Sequence, residues 1–122
     1  KFYWTVTARC AMAAALRDFT AEDLLPHWVA PGSGDIDGIG FDDDQITACV
    51  DATDALPAKI AALAEHATQV VVGPTGRAAA LSNHLALPIV GVEHYVLVHG
   101  VAGETNGSGW ETDLLAGVDL DG

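Results

Sequence analysis

The chain has 122 residues, half of them hydrophobic, which suffices for a single domain with its own core. Five Lys and Arg stand against seventeen Asp and Glu, a formal net charge of -12. That balance excludes nucleic acid, whose phosphates must be met by basic side chains, and disfavours anionic membrane surfaces. The acid-rich surface, with Lys1 and Lys59 as its lysines, has a halophilic character, since high salt screens self-repulsion. No apolar run approaches the roughly 18 residues of a spanning helix, so no membrane contact and a cytoplasmic location are expected. The first residue is Lys1, which leaves a removed leader open.

The run 2-FYWTVTA-8 alternates and is rich in aromatic and β-branched residues, so a strand is expected. The helix formers of 9-RCAMAAALRDF-19 follow. Thr20 with Asp23 three residues on forms a capping box for a short helix limited by Pro26. The Gly- and Asp-rich 31-PGSGDIDGIGFDDD-44 reads as a loop, and 45-QITACV-50 as a buried strand. Asp54 caps a helix with Pro57 in its first turn, running through 58-AKIAALAEHA-67. Then come a strand over 69-QVVVG-73, a helix from about Gly76 to Leu85, and a strand over 89-IVGV-92 that 95-YVLVH-99 continues or follows. From Gly100 the chain is a Gly-rich tail or hairpin with a turn at 105-TNGSG-109.

Strands alternating with helices imply an α/β fold, a three-layer sandwich with a mostly parallel, flavodoxin- or Rossmann-like sheet of four or five strands, as one domain over 1–122. In such a sheet ligands bind beyond the carboxyl ends of the strands. That rim would collect Arg9, Asp51, Gly73, Thr75, Gly76, Arg77, Glu93 and His94. Gly73 and Gly76 allow a tight turn, and free amides at a following helix start attract an anion. Thr75 and Arg77 would add hydrogen bonds, and Arg9 and Glu93 complete the expected ligand contacts. His94, tuned by Asp51 or Glu93, is the candidate acid or base.

The segment 72-VGPTGR-77 resembles the phosphate turn of universal stress proteins, and 78-AAALSNHLALPIVGV-92 is similar to the sugar-nucleotide half of GT-B glycosyltransferases. Both resemblances imply a βαβ unit. The 35-DIDGIGFDDD-44 loop invites calcium, but the twelfth EF-hand position is Ile46 where a Glu is needed, so no metal site is expected. Cys10 and Cys49 form no C-x-x-C and read as packed thiols, with a bridge between them left open. The function expected is binding of a small anionic or nucleotide-like ligand, with catalysis by His94 and Asp51 left open and no cofactor identified. The alternative is a non-catalytic assembly module. In both cases a homo-oligomer is expected, because small sheets often bury an edge strand in a dimer.

Overall fold

The aromatic N-terminal run forms β1 (Phe2–Ala8) and leads directly into α1 (Arg9–Arg17). In the computed structural model, which describes residues 1–119, the next elements are α2 (Ser33–Ile39), β2 (Gly40–Phe41), β3 (Ala48–Asp51) and α3 (Leu56–Glu65). The chain then continues through β4 (Val71–Val72), β5 (Ala78–Ala80), β6 (Ala86–Pro88) and β7 (Val92–His99). The Thr20 capping box is formed, over a short 3-10 turn at Ala21–Asp23. Residues 120–122 of the expected tail lie outside the described part.

Two sheets result. One has the order β2-β1-β7-β3 and the other the order β4-β5-β6. Among the strands of the described residues only β1 and β2 pair in parallel, and every other strand pair is antiparallel. The mostly parallel, Rossmann-like sandwich expected from the sequence is therefore wrong. Its error lies in the residues after Gly76. Residues 78–80 and 86–88 are strands of a hairpin, with Ala78 opposite Pro88 and Ala80 opposite Ala86. Ala78, Ala80 and Ala86 are at most 3% exposed and surround Trp28, joined by Phe19, Leu24 and Leu25. Alanine is chosen here for its size. A larger residue would hold the strands away from the indole, and this packing overrides alanine's intrinsic helix preference. The loop at 31–44 is also partly helical, since Gly32 caps α2 and Asp35 accepts the Gly32 amide at 2.8 Å.

Glycine is required where backbones touch. A Cβ on Gly73 would lie 2.5 Å from the Asp23 carbonyl oxygen, and one on Gly91 2.7 Å from Thr53 Cα. The tail covers part of the β3 edge. Cys49 N–H donates to the Glu111 carbonyl and Glu111 N–H to the Thr47 carbonyl, both at 2.8 Å. The 105–109 turn forms as expected, with the Asn106 side chain accepting the amides of Ser108 and Trp110.

A good deal of surface stays open. The chain exposes 7636 Å², whereas a compact monomer of its 12.6 kDa exposes about 6200 Å². Side chains two apart on a strand share a face. Trp4 stands opposite Val96, and Val98 follows Val96 on that face. Trp4 is 55% exposed and Val98 43%, and Phe2 is as open as Trp4. Among the described residues no helix is long and apolar enough to cross a membrane.

We expect Gly73→Ala to lower the unfolding free energy by about 1–3 kcal/mol, the usual cost of overpacking. Chemical denaturation reads this directly, and an unchanged midpoint would refute the close approach to Asp23.

Candidate functional site

The inner face of the four-stranded sheet carries Thr5 and Thr7 on β1 and Glu93 and Tyr95 on β7, at alternate positions of each strand. With α1, α3 and β6 this face encloses a groove of about 260 Å³, whose walls include Thr5, Thr7, Met12, Lys59, Pro88 and Glu93. Lys59 donates to the Val90 carbonyl and to Glu93 Oε1, both at 2.9 Å. The Tyr95 hydroxyl donates to Glu93 Oε2 at 2.7 Å. The hydrogen bonds from Tyr95 and then Lys59 hold the Glu93 carboxyl below its ordinary value. The bond to Glu93, reinforced by burial, pushes the Tyr95 phenol up to about 12. The groove wall therefore carries Lys59 and Glu93 in one hydrogen-bonded network, with the Tyr95 hydroxyl bonded to Glu93 behind it. Among the described residues the hydroxyls of Thr5 and Thr7 have no hydrogen-bond partner. A second, more apolar groove of about 270 Å³ adjoins the first and shares Lys59, Leu87 and Pro88 with it.

The residues singled out in the sequence fall in four places. Glu93 lines the first groove; His94 borders its wall, but its side chain, one position on, stands on the opposite face of the sheet. The His94 ring is 8% exposed and meets Trp110 edge to face at 5.5 Å. Burial lowers its pKa, and the Asp43 carboxylate opposes that shift. Asp51 ends β3 and accepts the Thr53 amide at 3.0 Å and the Thr53 hydroxyl, which together lower its pKa. Among the described residues no hydrogen bond or ion pair joins Asp51 to His94. Arg9 lies at the start of α1, binding Asp42 and, at 3.0 Å, the Gly40 carbonyl.

Gly73, Thr75, Gly76 and Arg77 form a turn, closed by Gly76 N–H to Gly73 O at 3.1 Å, with Gly76 at φ 75°. No helix follows it, so the helix amides invoked for an anion there are missing. The anion this turn meets is the chain's own. Asp23 is 1% exposed and accepts the Thr75 hydroxyl at 2.6 Å and the Thr20 amide at 2.8 Å. An Arg77 guanidinium nitrogen lies 3.6 Å from the same carboxylate, and another donates to the Asp18 carbonyl at 2.9 Å. The Thr75 hydroxyl first, then the Thr20 groups and the Arg77 charge, keep the Asp23 carboxyl below its ordinary value against the effect of burial.

Sequence reasoning missed Lys59 and Thr5, and it missed a second buried carboxylate. Glu111 has no exposed surface and accepts from Lys1, from Tyr3 at 2.8 Å and from the Gly103 amide. Burial pushes its carboxyl up, and the bonds from Lys1, Gly103 and Tyr3 outweigh it, so the net shift is down. A detectable signal for Lys59 was its rarity: it is one of two lysines in a chain of charge -12. Cys10 and Cys49 are free thiols, Cys10 exposed and held above its ordinary pKa first by its bond to Asp43. Among the described residues no group of three or more His, Cys, Asp or Glu is placed to hold a metal ion.

No protein-family model matches the chain. Curated relatives do. The chain is 56% identical over 121 residues to the 1D-myo-inositol 2-acetamido-2-deoxy-alpha-D-glucopyranoside deacetylase of Mycolicibacterium smegmatis, covering 99% of this chain and 41% of that protein. It is 58% identical over 119 residues to proteins of the same name from Mycobacterium bovis and Mycobacterium tuberculosis, covering 97% of this chain and 39% of theirs. The chain thus spans about two fifths of the length of the curated relatives it matches.

Asp23 and Glu111 have folded-state pKa values below their unfolded ones, so each stabilises the fold fully above the unfolded values near ~4. That contribution is lost as pH falls through the folded values. Acid titration of the melting temperature should show a decline beginning below about pH 4. Asp23→Asn should lower the midpoint at neutral pH and shallow the acid decline. Identical acid profiles for the two proteins would refute the assignment.

Proposed function

We propose that this chain is the substrate-contacting portion of an amide hydrolase that deacetylates an N-acetylated amino sugar linked to inositol. The observation that carries the reading is identity of 56–58% along nearly the whole chain to deacetylases so named. The groove on the inner sheet face supports it in chemical terms. Thr5, Thr7, Lys59 and Glu93 offer donors and acceptors in turn, as sugar and inositol hydroxyls require. Met12, Leu87 and Pro88 give apolar surface for the C–H faces of a ring. At about 260 Å³ the groove suits one ring of the glycoside. The substrate in the relatives' name carries no phosphate, so an anionic or nucleotide-like ligand is not part of this proposal.

In the reaction, water adds to the acetamide carbonyl carbon, the carbon–nitrogen bond breaks, acetate leaves and the nitrogen takes up a proton. The role assigned to this chain is to hold the polyol. Glu93 is kept ionised and Lys59 is anchored on Val90, so both are rigid before substrate arrives. The rest of such a protein, about three fifths of the relatives' length, would lie against the open sheet face around Trp4. The roughly 1400 Å² of surplus surface falls within the range of interfaces inside one chain.

The test is a graft. This chain replaces the matching segment of the Mycolicibacterium smegmatis deacetylase, and release of free amine from the acetamido glycoside is measured. The expected graft keeps activity within about tenfold of the parent, a barrier change near 1.4 kcal/mol. Lys59→Met in the graft should raise KM with kcat within about threefold, the signature of lost uniform binding. A folded graft with no amine release, or a Lys59→Met graft that loses only kcat, would overturn the reading.

A further inference from the structure

A second cluster lies on the far side of the hairpin sheet, away from the groove. His27 and His84 come from separate loops, yet their rings meet edge to face with centroids 4.7 Å apart and planes at 79°. Both histidines are exposed. The loops are locked together at their backbones. Val29 N–H donates to the His84 carbonyl at 3.0 Å and Ala86 N–H returns to the Val29 carbonyl at 2.9 Å. Beside this bridge the buried Trp28 fixes the first loop from below. His84 is held with φ at 61°, the one positive φ among the described non-glycine residues. That conformation is costly for a histidine and persists only where the surroundings impose it.

We infer that His27 and His84 form a two-imidazole site for one divalent transition-metal ion. The spacing fits. Once an exposed ring turns out of the edge-to-face contact so that a nitrogen of each aims at one ion, two imidazoles at nitrogen distances of about 2.0–2.1 Å and an angle of about 90–110° have centroids about 4.5–5.2 Å apart, so the rings need to turn but not to move apart. The rings also share a cavity of about 140 Å³ with Thr68, Gln69 and Ser82, whose oxygens, with water, can fill the remaining positions. The net charge of -12 favours any cation approaching the chain. With two nitrogen donors and open positions, the site prefers Cu2+ over Ni2+ and Zn2+. This site is independent of the proposed deacetylase reading.

The test is titration of the chain with Cu2+ at about pH 7.5. Calorimetry gives the stoichiometry, and electron paramagnetic resonance counts nitrogen ligands. One ion with two imidazole nitrogens is expected. His27→Ala and His84→Asn should each weaken binding at least about tenfold, and His99→Ala should leave it within about twofold. Asparagine tolerates the left-handed conformation, so His84→Asn keeps the loop. If it nevertheless fails to fold, the exposed His27→Ala decides alone. Absence of saturable binding, or binding that survives His27→Ala unchanged, would overturn the proposal.

Discussion

Among the described residues five of the nine buried apolar ones are alanines, and the rest of the fold follows from what alanine permits and what it withholds. It permits close approach. β5 and β6 can lie against Trp28, and Gly73 can touch the Asp23 backbone, because almost no side chain intervenes. It withholds area. A buried methyl contributes far less than a buried leucine, so packing alone gives this chain little stability. Polar clamps take up part of the task. Asp23 fastens the 73–77 turn to the segment after α1, and Glu111 fastens the tail to Lys1 and β1. Each is removed from water and met by several donors, the condition under which a buried carboxylate can be held ionised.

The same shortage explains why the large sheet has two unlike faces. The inner face is closed by α1, α3 and the hairpin sheet, and it keeps a polar groove between them. On the outer face Trp110 lies on His94, while Trp4 and Val98 stay open. A deacetylase of which this chain is two fifths would use both faces, the inner for the polyol and the outer for the remaining protein.

Much of the local structure was legible in the sequence. β1, α1, α3, the Thr20 box and the 105–109 turn follow from alternation, helix formers and caps that no tertiary contact contradicts. The topology was not legible. The alanines at 78–80 carry a helical propensity, while the reason for their small size, Trp28, lies about fifty residues earlier. Once those residues were read as a helix, a parallel sheet and a ligand rim followed. That rim gathered residues which the structure divides among the groove, the end of β3, the Asp23 turn and the β2 loop. The 73–77 turn does hold an anion, but the anion is a side chain that no local pattern points to. Lys59 was passed over because its partner Glu93 is thirty-four residues away in the chain, on β7.

The central claim is that the outer sheet face is completed by the remainder of a longer enzyme. Hydroxyl-radical footprinting, read by mass spectrometry at Phe2 and Trp4, tests it most directly. The isolated chain and the chain grafted into the Mycolicibacterium smegmatis relative are compared at several concentrations. Strong labelling in the isolated chain and protection in the graft is the expected result. Equal labelling in both would contradict the claim, as would protection in the isolated chain that grows with concentration, which would make a second copy the cover.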